Sequence, residues 1–320
     1  MCDDLKEYRQ DPKEYRQALK EYQQDLLEML LRFDEFCKAH HLRYFLAGGS
    51  ALGAVRHQGF IPWDDDVDLA MLRPDFERLE ALMKEQGNRI PGSDYYYSPV
   101  LAQIVPDAPI GHLFYLPGGV QAKQPSSKRD GNQAKQPGSK RAKQQDGTKH
   151  LPYSPADAPM LDIHPIDGVP RLGVMRKVQR FFAIVHYMAV YRLPTKNKGR
   201  LAHAISGLLV KITPDFLFDW YARISRKIIT AWRADRAEYV CSLFGLAGYE
   251  HEVMKRDLLV PYQDVPFEGY RLPIPAKQEA YLQRLYGDYK TLPPKDGRKP
   301  KHTGYIRFIE AKHSKELSNR

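Results

Sequence analysis

Four carboxylates crowd one short stretch of this 320-residue chain: Asp64, Asp65, Asp66 and Asp68, set just before and inside the apolar run Val67–Met71. In an extended strand, residues two apart point to the same side, so Asp66 and Asp68 stand together. Two like charges that close raise each other's pKa unless a cation offsets them. An all-oxygen, carboxylate-rich donor set suits Mg²⁺ or Mn²⁺ rather than Zn²⁺. Upstream, Gly48-Gly49-Ser50 forms a small-residue turn opening a helical stretch that ends in Arg56 and His57. A helix start of this kind favours an anion through its N–H groups and dipole. A metal-holding acid pair beside a phosphate-holding turn is the equipment of phosphoryl or nucleotidyl transfer, in which catalysis is mostly positioning and charge neutralisation.

A third acid, Asp162, lies in another apolar run, Met160–Ile166. It is read as completing the metal shell or as accepting the proton of an attacking hydroxyl. His164, two residues on, is read as a core or ligand-supporting histidine. Arg56 and His57 either neutralise a transferring phosphate or form a cation pair at the helix end. Asp64 and Asp65 either orient metal-bound water or stand in solvent, and Asp64 is taken as functional.

The elements that must hold these residues are readable from periodicity. Apolar positions from Leu19 to Cys37 recur at spacings of three and four, predicting an amphipathic helix over Pro12–His41. Strands are expected at Leu42–Ala47, Val67–Met71, Tyr95–Val105 and Met160–Ile166. A short helix is expected over Ser50–His57, with Ser50 as its N-cap, and another from Arg73-Pro74-Asp75. Helical patterns follow over Gly173–Val190, Leu201–Ile212 and Pro214–Arg233. Val265–Ile274 reads as a hairpin bending at Glu268-Gly269, and Lys277–Tyr286 as a helix stopped by Gly287. The polar tail, Lys299–Arg320, is expected to fray.

Residues 118–150 differ in kind. They repeat AKQPSSKR at Ala122–Arg129, AKQPGSKR at Ala134–Arg141 and AKQQDGTK at Ala142–Lys149, and they are expected to be a disordered basic insert. Ala122–His150 holds eight Lys or Arg against two Asp, which is +6 of the chain's +10. Charge alone therefore gives no argument for nucleic acid, while weak attraction of the insert to an anionic membrane is expected. The division is an N-terminal helix (1–41), one catalytic domain (42–117 and 151–320) and the insert between its parts. Three scattered cysteines, a charged N-terminus without a signal pattern, and no apolar run long enough for a bilayer give a cytoplasmic expectation.

Three blocks taken together resemble the LicD family of phosphotransferases, which includes fukutin-like proteins. They are FLAGGSALGAVRHQGFIPWDDDVDLAM at Phe45–Met71, LDIHPIDG at Leu161–Gly168, and VPFEGYRLPIPAKQEAYLQRLYGDYKTLPP at Val265–Pro294. The resemblance implies an α+β (α/β) nucleotidyltransferase-like mixed sheet flanked by helices, with a helical C-terminal half. It implies that Gly49 and Ser50 contact phosphate, that Asp66 and Asp68 bind Mg²⁺, and that Asp162 is the third acid of the metal site. Gly48 and His57 are read as donor-binding residues beside them. The implied reaction moves a phosphorylated alcohol from a CDP-activated donor, CDP-choline or similar, to a hydroxyl of a cell-surface glycan or of a teichoic-acid or lipopolysaccharide precursor. A nucleotidyltransferase and a catalytically silent glycan- or membrane-binding scaffold are the alternatives on the same fold. In the C-terminal block Tyr286, Asp288 and Arg298 are pocket candidates. The family commonly has Phe where His164 stands, and the repeat insert has no expected counterpart.

Overall fold

A computed structural model describes residues 12–98, 110–117, 157–193, 200–245 and 249–318. The repeat insert, and the expected strand beyond Ser98, lie outside them. The first helix, α1 (Pro12–Ala39), buries Leu19, Tyr22, Leu26, Leu30, Phe33 and Cys37, the face its periodicity predicts. The first strand is shorter than its apolar run, with β1 confined to Phe45–Leu46. Then come α2 (Gly48–His57), β2 (Val67–Leu72) and α3 (Arg73–Glu85). Next are β3 (Tyr95–Ser98), β4 (Gly111–Tyr115) and the long β5 (Met160–Val169).

Helices α4 (Gly173–Tyr191), α5 (Arg200–Ile212) and α6 (Asp215–Ile229) follow. After them the chain forms β6 (Tyr239–Ser242), the single turn α7 (Tyr249–Glu252) and β7 (Met254–Lys255). The expected hairpin is β8 (Tyr262–Phe267) with β9 (Tyr270–Pro275), and α8 (Gln278–Tyr286) ends at Gly287, whose φ is +66°. A last helix, α9 (Gly304–Ser318), completes the chain.

The expected mixed sheet with flanking helices is what forms. Its seven strands run β1-β2-β5-β4-β3, with β6 on the far half of β5 and β7 on β6. Strands β2 and β5 are parallel, and their register sets Asp68 against Asp162 and Ala70 against His164. On its other edge β5 meets β4 over its first half, with His112 opposite Asp162, and β6 over its second. One long strand thus serves two partners. The β8–β9 hairpin forms a separate sheet.

The tail contradicts its sequence reading. Rather than fraying, α9 buries Tyr305, Ile306, Phe308 and Ile309. The spacing one, three and four apart makes a narrow apolar stripe that overall polarity hides. That stripe packs on α1 and β4, with ring centroids of Tyr22–Phe308 at 5.9 Å, Tyr15–Tyr305 at 5.7 Å and Tyr115–Phe308 at 6.0 Å. Lys312 adds an ion pair to Asp25 at 2.6 Å.

A buried ion pair ties α3 to the end of β5. Arg73 donates from Nε to Asp167 Oδ1 and from a terminal nitrogen to Oδ2, both at 2.7 Å. Asp167 is fully buried, so removing one partner strands a charge without solvent. Asp167→Ala is expected to cost about 3–5 kcal/mol, read as a lowered urea-unfolding midpoint.

Candidate functional site

The site is built where β2, β5 and the start of α2 meet. Helix α2 begins at Gly48, two residues ahead of the expected start, so Ser50 lies inside the first turn rather than at the N-cap. Its hydroxyl instead accepts the Asp68 N–H at 2.9 Å, fastening α2 to β2. The N–H groups of the turn are also engaged: Gly48 N donates to the Tyr281 hydroxyl at 3.2 Å, and Gly49 N reaches the Asp68 carboxylate. The anion served by this helix start is therefore Asp68 itself.

Both glycines sit close against the acids, and the backbone at Gly48 also favours glycine. Gly48 has φ +49°, and a Cβ there would lie 2.9 Å from Asp68 Oδ2; one at Gly49 would lie 3.0 Å from Asp64 Oδ2. Gly48→Ala is expected to destabilise the fold by more than about 1 kcal/mol, measured by thermal unfolding.

The acids fall into two groups. Asp68, Asp162 and His164 offer ligand atoms within 4.8 Å of one another, and so do Asp64, Asp65 and Asp66. His164 Nε2 stands 3.3 Å from Asp68 Oδ1. Burial alone would lower the His164 pKa, but the hydrogen bond and charge of Asp68 outweigh it and raise it. For Asp68 the balance tips the other way: burial would raise its pKa, and His164, Lys301 and the Gly49 N–H together lower it. Asp64 is pushed up to about 8 by burial and then by the charge of Asp66. Asp66 is raised by burial and by Asp68, against the pull of Lys301.

Two partners of these acids carried no sequence signal. His112, on β4, places Nδ1 2.8 Å from Asp162 Oδ1 and fixes that carboxylate from the far side. Lys301, in the segment between α8 and α9, sets Nζ 2.9 Å from Asp66 Oδ2 and also lowers the pKa of Asp64 and Asp68 through its charge. Asp65 explains how Lys301 is held. Its buried carboxylate accepts the backbone N–H of Lys301 at 3.3 Å and of His302 at 2.8 Å. Asp65 is thus an anchor for the C-terminal segment, not a solvated charge.

Arg56 and His57 sit at the end of α2. Arg56 donates Nε to His57 Nε2 at 3.0 Å and another N–H to Tyr289 O at 3.1 Å, while feeling the charge of Asp64. Burial first, and Arg56 second, lower the His57 pKa. Of the C-terminal candidates, Arg298 stacks on Trp63 at 5.8 Å and Tyr286 points its hydroxyl toward Gly48. Asp288 turns away to accept from Thr291 N and Oγ1.

These residues fit a hard divalent cation. The donors are carboxylate oxygens, and Asp66 Oδ1 is buried with no partner. The expected set of Asp66, Asp68 and Asp162 is split: Asp68 and Asp162 offer oxygens beside the His164 ring, while Asp66 belongs with Asp64 and Asp65 and has Lys301 against it.

The site thus sets a glycine turn beside acids on two neighbouring strands of a mixed sheet. Residues 41–100 match the family model described as LicD/FKTN/FKRP, nucleotidyltransferase domain. The chain is 25% identical over 285 residues to the lipopolysaccharide cholinephosphotransferase LicD of Haemophilus influenzae, spanning 86% of this chain and 92% of that protein. A 45-residue segment is 51% identical to the human ribitol 5-phosphate transferase FKRP, 14% of this chain and 9% of that one. A 74-residue stretch is 35% identical to protein RT0683 of Rickettsia typhi, 22% of this chain and 24% of that one. The chain therefore resembles the LicD family, as its motifs imply.

Lys301 and a metal ion would compete for the same carboxylates. Lys301→Met is expected to raise the affinity for Mg²⁺ by about tenfold or more in calorimetry, since a unit charge a few ångströms away is strongly felt at a partly buried site. An unchanged affinity would separate the two positions.

Proposed function

We propose that this protein is a phosphotransferase that moves a phosphorylated alcohol from a CDP-activated donor to a hydroxyl on a glycan. The observation that carries this reading is the facing of Asp68 and Asp162 across the parallel β2–β5 pair, beside the start of α2. The similarity to the LicD cholinephosphotransferase over most of both chains supports the phosphotransferase class and a choline-phosphate-like group.

In this reading Asp162, oriented by His112, accepts the proton of the acceptor hydroxyl. The hydroxyl oxygen then forms its bond to the phosphorus that bears the alcohol, the pyrophosphate bridge breaks, and CMP leaves with the bridging oxygen. Gly48, Gly49 and Ser50 shape the floor beneath the donor phosphates. Arg56, with Arg298 nearby, supplies positive charge beside the site, His57 adds a ring donor, and Asp64 orients groups between them. Mg²⁺ or Mn²⁺ held by Asp66, Asp68 and Asp162 would neutralise charge on the donor phosphates.

The test is Asp68→Asn, with folding checked by circular dichroism. CMP release from CDP-choline, or from CDP-ribitol or CDP-glycerol if one of these is the donor, is expected to fall by about 100-fold or more, the scale of losing a charge-stabilising group. A folded variant working at the wild-type rate would remove Asp68 from the chemistry.

A further inference from the structure

The helices α4–α6 are mounted with their polar groups inward. Gln179 donates Nε2 to Gly168 O at 2.8 Å and Ile229 O at 2.9 Å, and His186 Nδ1 lies 3.1 Å from Ala222 O and 3.0 Å from Ser225 Oγ. Arg226 pairs with Glu80 of α3. Phe218 and Ile229 are buried with them, but many of the large apolar side chains are exposed. Of the fourteen large apolar residues exposed among the described residues, eleven fall between Leu172 and Tyr221.

On α5, Leu208, Leu209 and Ile212 share a face and are 59%, 47% and 64% exposed; on α6, Phe216 and Trp220 share one and are 70% and 49% exposed. A bend at Thr213, followed by Pro214, separates the two helices. Phe216, Leu217, Trp220 and Arg223 line an open groove of about 340 Å³. An apolar surface this concentrated marks an interaction site.

Charge identifies the partner. Gly173–Ile229 carries eleven Lys or Arg and two Asp, a net +9 in a chain of net +10. With the insert at +6, the rest of the chain is −5. Lys177, Lys211, Arg223 and Lys227 stand exposed on these helices. Helices that expose Trp, Phe and Leu with cations beside them fit a lipid headgroup layer, the apolar faces at the acyl boundary and the cations among anionic headgroups. A second copy of the chain would bring +9 against +9, which opposes self-association through this face.

We propose that α5 and α6, with the cations flanking them, dock on an anionic lipid bilayer. Among the described residues no helix is long and apolar enough to cross a membrane, so the helices would lie along the surface. The membrane attraction expected of the repeat insert falls on residues outside the described ones; docking through α5 and α6 does not depend on the transfer reaction.

The test uses the full chain in flotation with vesicles of phosphatidylcholine, alone or with about a third phosphatidylglycerol, a strongly anionic surface. The wild-type protein is expected to float with the anionic vesicles, to shift its tryptophan emission to the blue, and to be released by salt. A folded Ile212→Glu/Trp220→Glu variant is expected to lose binding by about tenfold or more, because buried charge opposes insertion. Lys211→Glu/Lys227→Glu is expected to weaken the preference for anionic vesicles. Three results would overturn the proposal: no flotation of the wild-type chain with anionic vesicles, undiminished flotation of the Ile212/Trp220 variant, or a vesicle-indifferent dimer that this variant turns into monomer.

Discussion

Like-charge repulsion among carboxylates is the constraint around which this molecule is arranged. Asp68 and Asp162 face each other where two parallel strands meet, and Asp64 and Asp66 lie just ahead of β2, all four wholly or partly withdrawn from solvent. Two unit charges 4 Å apart repel by roughly 4 kcal/mol at an effective dielectric of 20, a large share of a domain's net stability. The surrounding elements oppose that repulsion. The start of α2 gives Asp68 an N–H, His164 gives it a proton-bearing ring, His112 holds Asp162, and Lys301 lies against Asp66.

The chain's two ends cooperate in this. Asp65 binds the backbone at Lys301 and His302, and just beyond them α9 packs its aromatic stripe on α1. Gln23 of α1 donates Nε2 to Asp64 O at 2.8 Å and to Ile61 O at 3.2 Å, steadying the approach to the acids. The N-terminal helix and the C-terminal segment thus brace the acidic loop from both sides. An apparently loose tail is what delivers a cation to the centre.

Charge is also segregated along the chain. The acids are collected at the sheet, whereas the helices after β5 hold most of the net positive charge and most of the exposed apolar side chains. The proposed metal centre and the proposed lipid-docking helices would serve different partners. Keeping them on different elements prevents each from neutralising the other.

Much of the local structure was legible in the residues. The amphipathic period of α1, the apolar run of β2, the glycine turn, the hairpin at Glu268-Gly269 and the stop at Gly287 are short-range patterns, and each appears close to where its pattern lies. Pattern reading missed β4 and β6, whose few residues give periodicity little to register, and it mistook α9 for a fraying tail. By itself the sequence determined that an acid, Asp68, would stand in a strand beside a helix start, because strand and turn geometry follow from neighbouring residues. Asp66, expected on the same strand face, falls just ahead of β2 and groups with Asp64 and Asp65. Only the tertiary structure decided that Asp162 faces Asp68, that His112 holds Asp162, that Ser50 ties helix to strand instead of capping, and that Lys301 enters by way of Asp65. Those pairings join residues up to 236 positions apart. They are set by sheet register and by burial of α9 against α1, which no local pattern encodes.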